Sequence, residues 1–429
     1  MATVVAGLCA ALAVQVAGPW VAMPGRATGT PVLHTQPDWY VARDAAAGRT
    51  NAQNLAWVRG GSVPGAGTAY EPMVQAALLD LRRLSLPGGA MPAGAGATWN
   101  HDWPRDTAFV AVALDRAGHH DDAVAMLSFL AGQPAPEGTL AARYRLDGGG
   151  PPDGRPAQAD GPGWVLWAVD QLVQGSTDPT DPSRPTGPDG DREWEQVDRV
   201  SLPVDVRTLA DRSLARILSW TGNGRWLPPP TPDYWEMPAS RVSLGEVAPL
   251  VAGLQSAARL YTKLGDDRRA AQSRAAAGRL GTVVAGAFGP SFQRFGDSGG
   301  RDAALSMLMP PFVTDGELAV GPAVGRIASA WLDYQQGAVR SAGGLAPGTG
   351  WFNHGESWTP ETALVAYAAA ASGRPVIARR WMDWLAAHRT PWGALPEKVL
   401  ANGQPAGPAP LAWTDALVVL TAYELDRHP

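Results

Sequence analysis

Two glutamates stand in surroundings that push their chemistry in opposite directions. Glu236 lies in residues 231–244, T-P-D-Y-W-E-M-P-A-S-R-V-S-L, between Trp235 and Met237. A carboxyl beside an indole and a thioether is poorly solvated, which raises its pKa and makes it a proton donor at neutral pH. Glu397 lies in W-G-A-L-P-E-K, residues 392–398, where the ammonium of Lys398 would keep it ionised. An ionised carboxylate can deprotonate water. Each also has a plainer reading. Glu236 can be a helix N-terminal acid favoured by the dipole, and Glu397 half of an exposed ion pair worth about 0–1 kcal/mol.

Two polar stretches can serve such a pair. Residues 99–106 read W-N-H-D-W-P-R-D and open a helical pattern, with Arg105 and Asp106 in its first turn close to Trp103. Capping explains an acid there. Alternatively, Arg105 and Asp106 hydrogen-bond sugar hydroxyls while Trp103 offers a stacking face. Residues 154–164, G-R-P-A-Q-A-D-G-P-G-W, present Gln158 and Asp160 on a turn stiffened by Gly and Pro. Turn chemistry accounts for the Gly, Pro and Asp but less readily for Gln158. A further segment, W-F-N-H-G-E-S-W at 351–358, is rich in potential sugar contacts. Its Glu356, just ahead of a helix, reads as a cap-region carboxylate.

The elements that must hold these residues are helical. Apolar residues recur at helical spacing over 70–84, 104–117, 121–130, 163–173, 206–220, 244–264, 268–284, 303–309, 325–334, 359–371, 376–388 and 411–425. Convincing alternating strands are few. About twelve helices joined by uneven Gly/Pro/Trp-rich loops suit a ring of helical hairpins, an all-α (α/α)6 barrel with its long loops at one rim. A helical-repeat stack would need a constant period, and none is found. Residues 177–190, punctuated by Asp178-Pro179, Asp181-Pro182, Pro185 and Pro188, read as a surface loop and not a domain linker.

Composition narrows the function. The net charge is -5 with acids and bases interspersed, so nucleic acid is not an expected partner. The chain has 18 Trp, more than its 8 Tyr and 7 Phe together, and Trp stacks on sugar faces as well as filling cores. Trp99, Trp103, Trp226, Trp351 and Trp392 fall in loops, which favours a groove lined by aromatics. The single Cys9 and the seven scattered His give neither a disulfide framework nor a zinc spacing. No cofactor or metal is expected. Residues 3–23 are apolar and uncharged, like an export signal or a short membrane anchor, although the first basic residue is Arg26. The expected division is a hydrophobic segment at 1–26, a loop-rich lead-in at 27–69 and a barrel at 70–429. A secreted or envelope-anchored monomer follows from these features.

The order W-P-R-D, then Q-x-D-G, then W-E after a Pro-rich loop, then L-P-E before P-L-x-W-T resembles the glucoamylase family across residues 70–425. Those are inverting exo-α-glucosidases of glycoside hydrolase family 15 with an (α/α)6 barrel. The resemblance implies that Glu236 is the general acid and Glu397 the general base. It places Arg105, Asp106 and Trp103 in the terminal-sugar pocket, matches Gln158 and Asp160 to a second sugar-binding loop, and sets Trp235 beside the acid. The implied partner is an α-linked oligosaccharide or polysaccharide, and trehalase or glucodextranase-type specificities fall within the same family. Two departures stand out. Lys398 follows the base where family members more often carry Gln, and residues 24–69 leave no room for the β-sandwich that precedes many bacterial barrels. Loss of that sandwich admits a reading from another class, a non-catalytic glycan-binding envelope protein on a hydrolase-derived barrel. Retention of both glutamates argues against it.

Overall fold

A computed structural model of the chain describes residues 37–175, 202–352 and 354–428. The apolar segment at 3–23 with Cys9, and the loop expected at 177–190, lie outside the described residues. The fold is the (α/α)6 barrel. Its inner ring consists of α4 (Pro104–Arg116), α6 (Asp160–Gly175), α8 (Leu244–Lys263), a 3-10 helix (Ala303–Leu308), α11 (Thr359–Ala371) and α13 (Ala412–Arg427). Each packs on the next, and α13 closes the ring against α4. The outer ring is α5 (His120–Ala131), α7 (Val204–Trp220), α9 (Asp267–Phe288), α10 (Val324–Gly337), α12 (Pro375–Ala387) and α3 (Glu71–Leu84). Five outer helices follow their inner partner in the chain. The sixth, α3, precedes everything else in the barrel and pairs with α13, which joins the two ends of the barrel sequence.

The two rings differ in sequence because they differ in solvent. Every residue of α4 is buried, the charged pairs at its two ends included, and α11 is nearly so and apolar beyond its first turn. The outer helices α3, α7 and α12 bury one face and are amphipathic. Glycine sets the closest approach in the ring. A Cβ on Gly163 of α6 would lie 2.2 Å from the Pro249 carbonyl of α8, and one on Gly253 would lie 2.7 Å from the Gly163 backbone. The barrel is filled by rings from five directions: Phe109, Trp164, Trp167, Phe312, Tyr367 and Trp413. Their edge and tilted contacts each add about 0.5–1.5 kcal/mol beyond area burial.

Two sequence expectations change. The lead-in at 27–69 carries two helices, α1 (Pro37–Ala46) and α2 (Asn51–Gly60). Thr50 and Gln53 form a capping box at α2, and Trp57 stacks on His119 with ring centroids 3.5 Å apart. The apolar pattern at 303–309 folds as a 3-10 helix because Asp302 accepts from the Ala304 N–H and Pro310 and Pro311 stop propagation. At the mouth, a short antiparallel sheet joins β1 (Ser357–Trp358), β2 (Lys398–Val399) and β3 (Pro405–Ala406), with Trp358 opposite Lys398.

Burial at this fold's core makes stability sensitive to pH. Asp80 of α3 and Asp415 of α13 are both raised by burial, and the charge of Asp80 raises Asp415 further. Buried Asp102 and Glu246 are raised to about 7 and about 8 by the same cause. A folded carboxyl with a raised pKa holds a proton that the unfolded chain has released. Its stabilisation is complete below about pH 4 and is lost as pH rises to about 8. Thermal melts are therefore expected to show falling Tm across that range. In D415N, which cannot ionise, the fall should be shallower and Tm at the alkaline end higher than in the wild type.

Candidate active site

Each inner element is entered through a loop, and the six entries meet at one mouth of the barrel. Trp103 is the N-cap residue of α4 and Pro104 its first helical residue, a position where the missing N–H costs nothing. Asp102 anchors this entry, accepting from Thr107 Oγ1 at 2.6 Å and from the Met91 N–H at 2.9 Å. The loop before α6 is tied across the mouth by the Ala159 N–H, which donates to Thr231 Oγ1 at 3.0 Å.

The turn 233–236 aims Glu236. Its N–H donates to the Asp233 carbonyl at 2.8 Å, and the Trp235 N–H donates to Asp233 Oδ1 at 2.9 Å. Glu236 itself adopts φ 53, the left-handed region that non-glycine residues enter only where their surroundings hold them. Here they do. The Asp233 carboxylate is buried between Ser243 Oγ at 2.6 Å and the Arg294 guanidinium at 2.7 Å. Arg294 also bonds Asp302 at 2.8 Å and lies 3.7 Å from the Trp235 ring centroid.

Glu236 therefore does not sit among its sequence neighbours. Trp235 turns under Arg294, and Met237 faces a separate groove with Pro238, Phe295 and Phe352. The Glu236 carboxylate instead accepts three bonds: from Trp103 Nε1 at 2.7 Å, Arg155 at 2.8 Å and Gln158 Nε2 at 3.3 Å. The expectation of an apolar setting is corrected, because a turn with positive φ at Glu236 separates the direction of its side chain from those beside it.

Glu397 enters from the far side, on the loop before α13. Its N–H donates to the Pro408 carbonyl at 2.9 Å and its carbonyl accepts from the Thr359 N–H of α11 at 3.0 Å. Gly407 must lack a side chain, since a Cβ there would lie 2.5 Å from Glu397 Oε2. The carboxyl is buried and raised by that burial. Lys398 opposes the rise and the charges of Glu236 and Glu356 add to it. Lys398 Nζ stands 3.6 Å from Oε2, an ion pair longer than a hydrogen bond, and 4.4 Å from the Trp358 ring centroid. The exposed Glu–Lys pair is thus excluded, and Lys398 is not the main influence on Glu397; burial is the larger one.

Both glutamates line one cleft of about 590 Å³. Its walls are Trp99, Trp103, Tyr234, Trp235, Trp351 and Trp358, and Arg143, Arg155, Lys398 and Glu361 complete its polar lining. Of the loop tryptophans, Trp226 and Trp392 stand elsewhere. Trp103 is not a free stacking face: its ring is buried, with Arg143 5.0 Å from its centroid, and its N–H is used on Glu236. Trp99 and Trp358 keep partly accessible rings.

Arg105, Asp106, Gln158 and Asp160 come together as a buried layer beside Glu236. Arg105 bonds Gln158 and Asp160, each at 3.0 Å, stands 3.5 Å from Asp106, and lies 5.2 Å from the Trp413 ring centroid. Burial raises Asp106 to about 6 and also raises Asp160, in both cases against the opposing pull of Arg105. Asp106 Oδ2 is buried without a hydrogen bond. Glu356 is not a cap; it precedes β1, and the first-turn acid of α11 is Glu361. Sequence reasoning passed over Arg155, Arg143 and Glu361. Arg155 stands inside the stretch already singled out, yet its partner Glu236 is 81 residues away. Glu361, in T-P-E, looks like an ordinary helix-start acid.

The fold is of the glucoamylase type, an (α/α)6 barrel with its cleft at the loop-bearing mouth. Solved structures with this architecture include a wild-type glycosidase, with TM-score 0.65, 19% identity and coverage of 89% of this chain and 100% of that one. The Saccharomycopsis fibuligera glucoamylase matches with TM-score 0.61 and 12% identity over 94% and 98% of the two chains. A bacterial glucoamylase complexed with acarbose matches with TM-score 0.59 and 15% identity over 86% of this chain and 57% of that one. No family model and no curated protein sequence matches the chain.

The Arg294 cluster yields a direct test. In R294M, Asp233 and Asp302 stay buried without their cation, which costs about 3–5 kcal/mol. Urea unfolding of R294M should show a loss of that size. D233N/R294M, which also removes one of the stranded charges, should recover part of it.

Proposed function

We propose that the chain is a glycoside hydrolase that releases glucose from the non-reducing ends of an α-linked glucan or oligosaccharide with inversion. The observation that supports it best is the entry of Glu236 and Glu397 from different loops into one tryptophan-walled cleft. Single displacement needs a protonated carboxyl for the leaving oxygen and a second carboxylate that activates water on the other face of the sugar. Glu236 takes the acid role and Glu397 the base role, so Glu236 has to take up a proton against its ion pair with Arg155. Arg105, Asp106, Gln158 and Asp160 form the terminal-sugar end, with Trp103 holding Glu236 and Trp235 forming part of the cleft wall. The glycosidases and glucoamylases that share the fold support the reaction class. The enzyme acts as a monomer, secreted or held at the envelope through residues 1–26.

Glu397 must be ionised to act, so kcat/KM falls as pH drops through its pKa, which burial sets above the ordinary glutamate value. Lys398 limits that rise. In K398M the acidic limb of the pH profile should therefore move to higher pH, with the alkaline limb in place.

E236Q and E397Q should fold as the wild type does and each lose about 10²–10⁴-fold in kcat. Proton NMR of fresh mixtures with maltose, isomaltose, trehalose and a maltodextrin tests the stereochemistry and identifies the linkage together. β-Glucose should appear first. α-Glucose first means retention and ends the single-displacement scheme, and no glucose from a folded protein moves the reading to glycan binding without turnover.

A further inference from the structure

The acid–base pair leaves one carboxyl in the cleft without a task. Glu361 stands in the first turn of α11 and lines the same cleft as Glu236 and Glu397. It is buried, and its Oε2 has no hydrogen-bond partner. Leaving a buried polar atom unpaired costs about 1–3 kcal/mol, and an apolar side chain of similar size would avoid that cost. Helix capping does not explain it. A dipole-stabilising acid works as well at the solvent-facing start of a helix, and Trp358, not Glu361, is the N-cap residue. The backbone just before Glu361 is also pinned to the proposed base, through the Thr359 N–H on the Glu397 carbonyl at 3.0 Å.

We infer that Glu361 is a substrate-contacting residue whose free Oε2 donates a hydrogen bond to one hydroxyl of the sugar bound in the cleft; this rests on the glycosidase reading above. Burial, with the nearby charge of Glu397 adding to it, raises Glu361 to about 8, so at neutral pH the carboxyl carries the proton it would donate. A neutral acid also adds no further negative charge to the cleft beside Glu397. Glu361 selects a hydroxyl and takes no part in proton transfer to the leaving group.

Calorimetric binding of glucose and its 2-, 3-, 4- and 6-deoxy analogues tests this without needing turnover. The proteins are the wild type, E361Q, which keeps a neutral donor, and E361L, which has none. The wild type should bind one of the four analogues about 10-fold or more weakly than glucose. E361L should bind glucose and that analogue equally, with its Tm no lower than the wild type's, while E361Q should keep glucose affinity within about three-fold. A residue that only packs would shift all five sugars together. Wild-type discrimination preserved in E361L overturns the inference alone. Wild-type protein that binds none of the five sugars overturns the glycosidase reading and this inference with it.

Discussion

The site depends on one buried guanidinium. Arg294, from the segment after α9, is held between Asp233, on the loop before α8, and Asp302, at the start of the 3-10 helix. Burying three charges is costly, and a charge cluster is kept in an interior only when its geometry leaves no partner unmatched. The return here is positional. Arg294 fixes the turn in which Glu236 adopts a left-handed backbone, and it covers Trp235 so that this ring cannot follow Glu236 into the acid's contacts. Without that clamp the Glu236 carboxylate would have no reason to meet Trp103, Arg155 and Gln158 together.

The barrel supplies the rest by repetition. Inner α-helices begin at the same mouth, and each has an acid in its first turn: Asp106, Asp160, Glu246, Glu361 and Asp415. The partial positive charge of a helix start favours an acid there. Packing the inner ring so tightly that α4 is buried throughout then takes those acids out of water, which raises several of them. The same geometry that gathers carboxyls at one mouth thus makes them expensive to ionise. Cations temper this at two carboxyls, Arg105 at Asp160 and Lys398 at Glu397.

Secondary structure lies near the surface of this sequence because each barrel helix carries its own periodicity and stops. The pattern over 359–371 coincides with α11, and most other helices fall within a few residues of the periodic runs. The misses have local causes. Residues 51–60 form a helix of weak amphipathicity whose signal was the capping box Thr50–Gln53, and residues 303–308 were apolar enough for an α-helix but were stopped by Pro310.

Sequence alone determined which candidate residues precede or open the inner helices: Glu236, Glu397 and Gln158 stand on the chain ahead of them, and Arg105, Asp106 and Asp160 in their first turns. Their electrostatic roles were decided only by the tertiary structure. Glu236 exchanged Trp235 and Met237 for Trp103, Arg155 and Gln158, and Glu397 proved more affected by burial than by the lysine next to it. The reason is physical. Covalent neighbours fix where a side chain starts, but solvation and partner charges depend on what the folded chain brings within a few ångströms. In a ring closed by its first and last helices, those partners are remote in sequence.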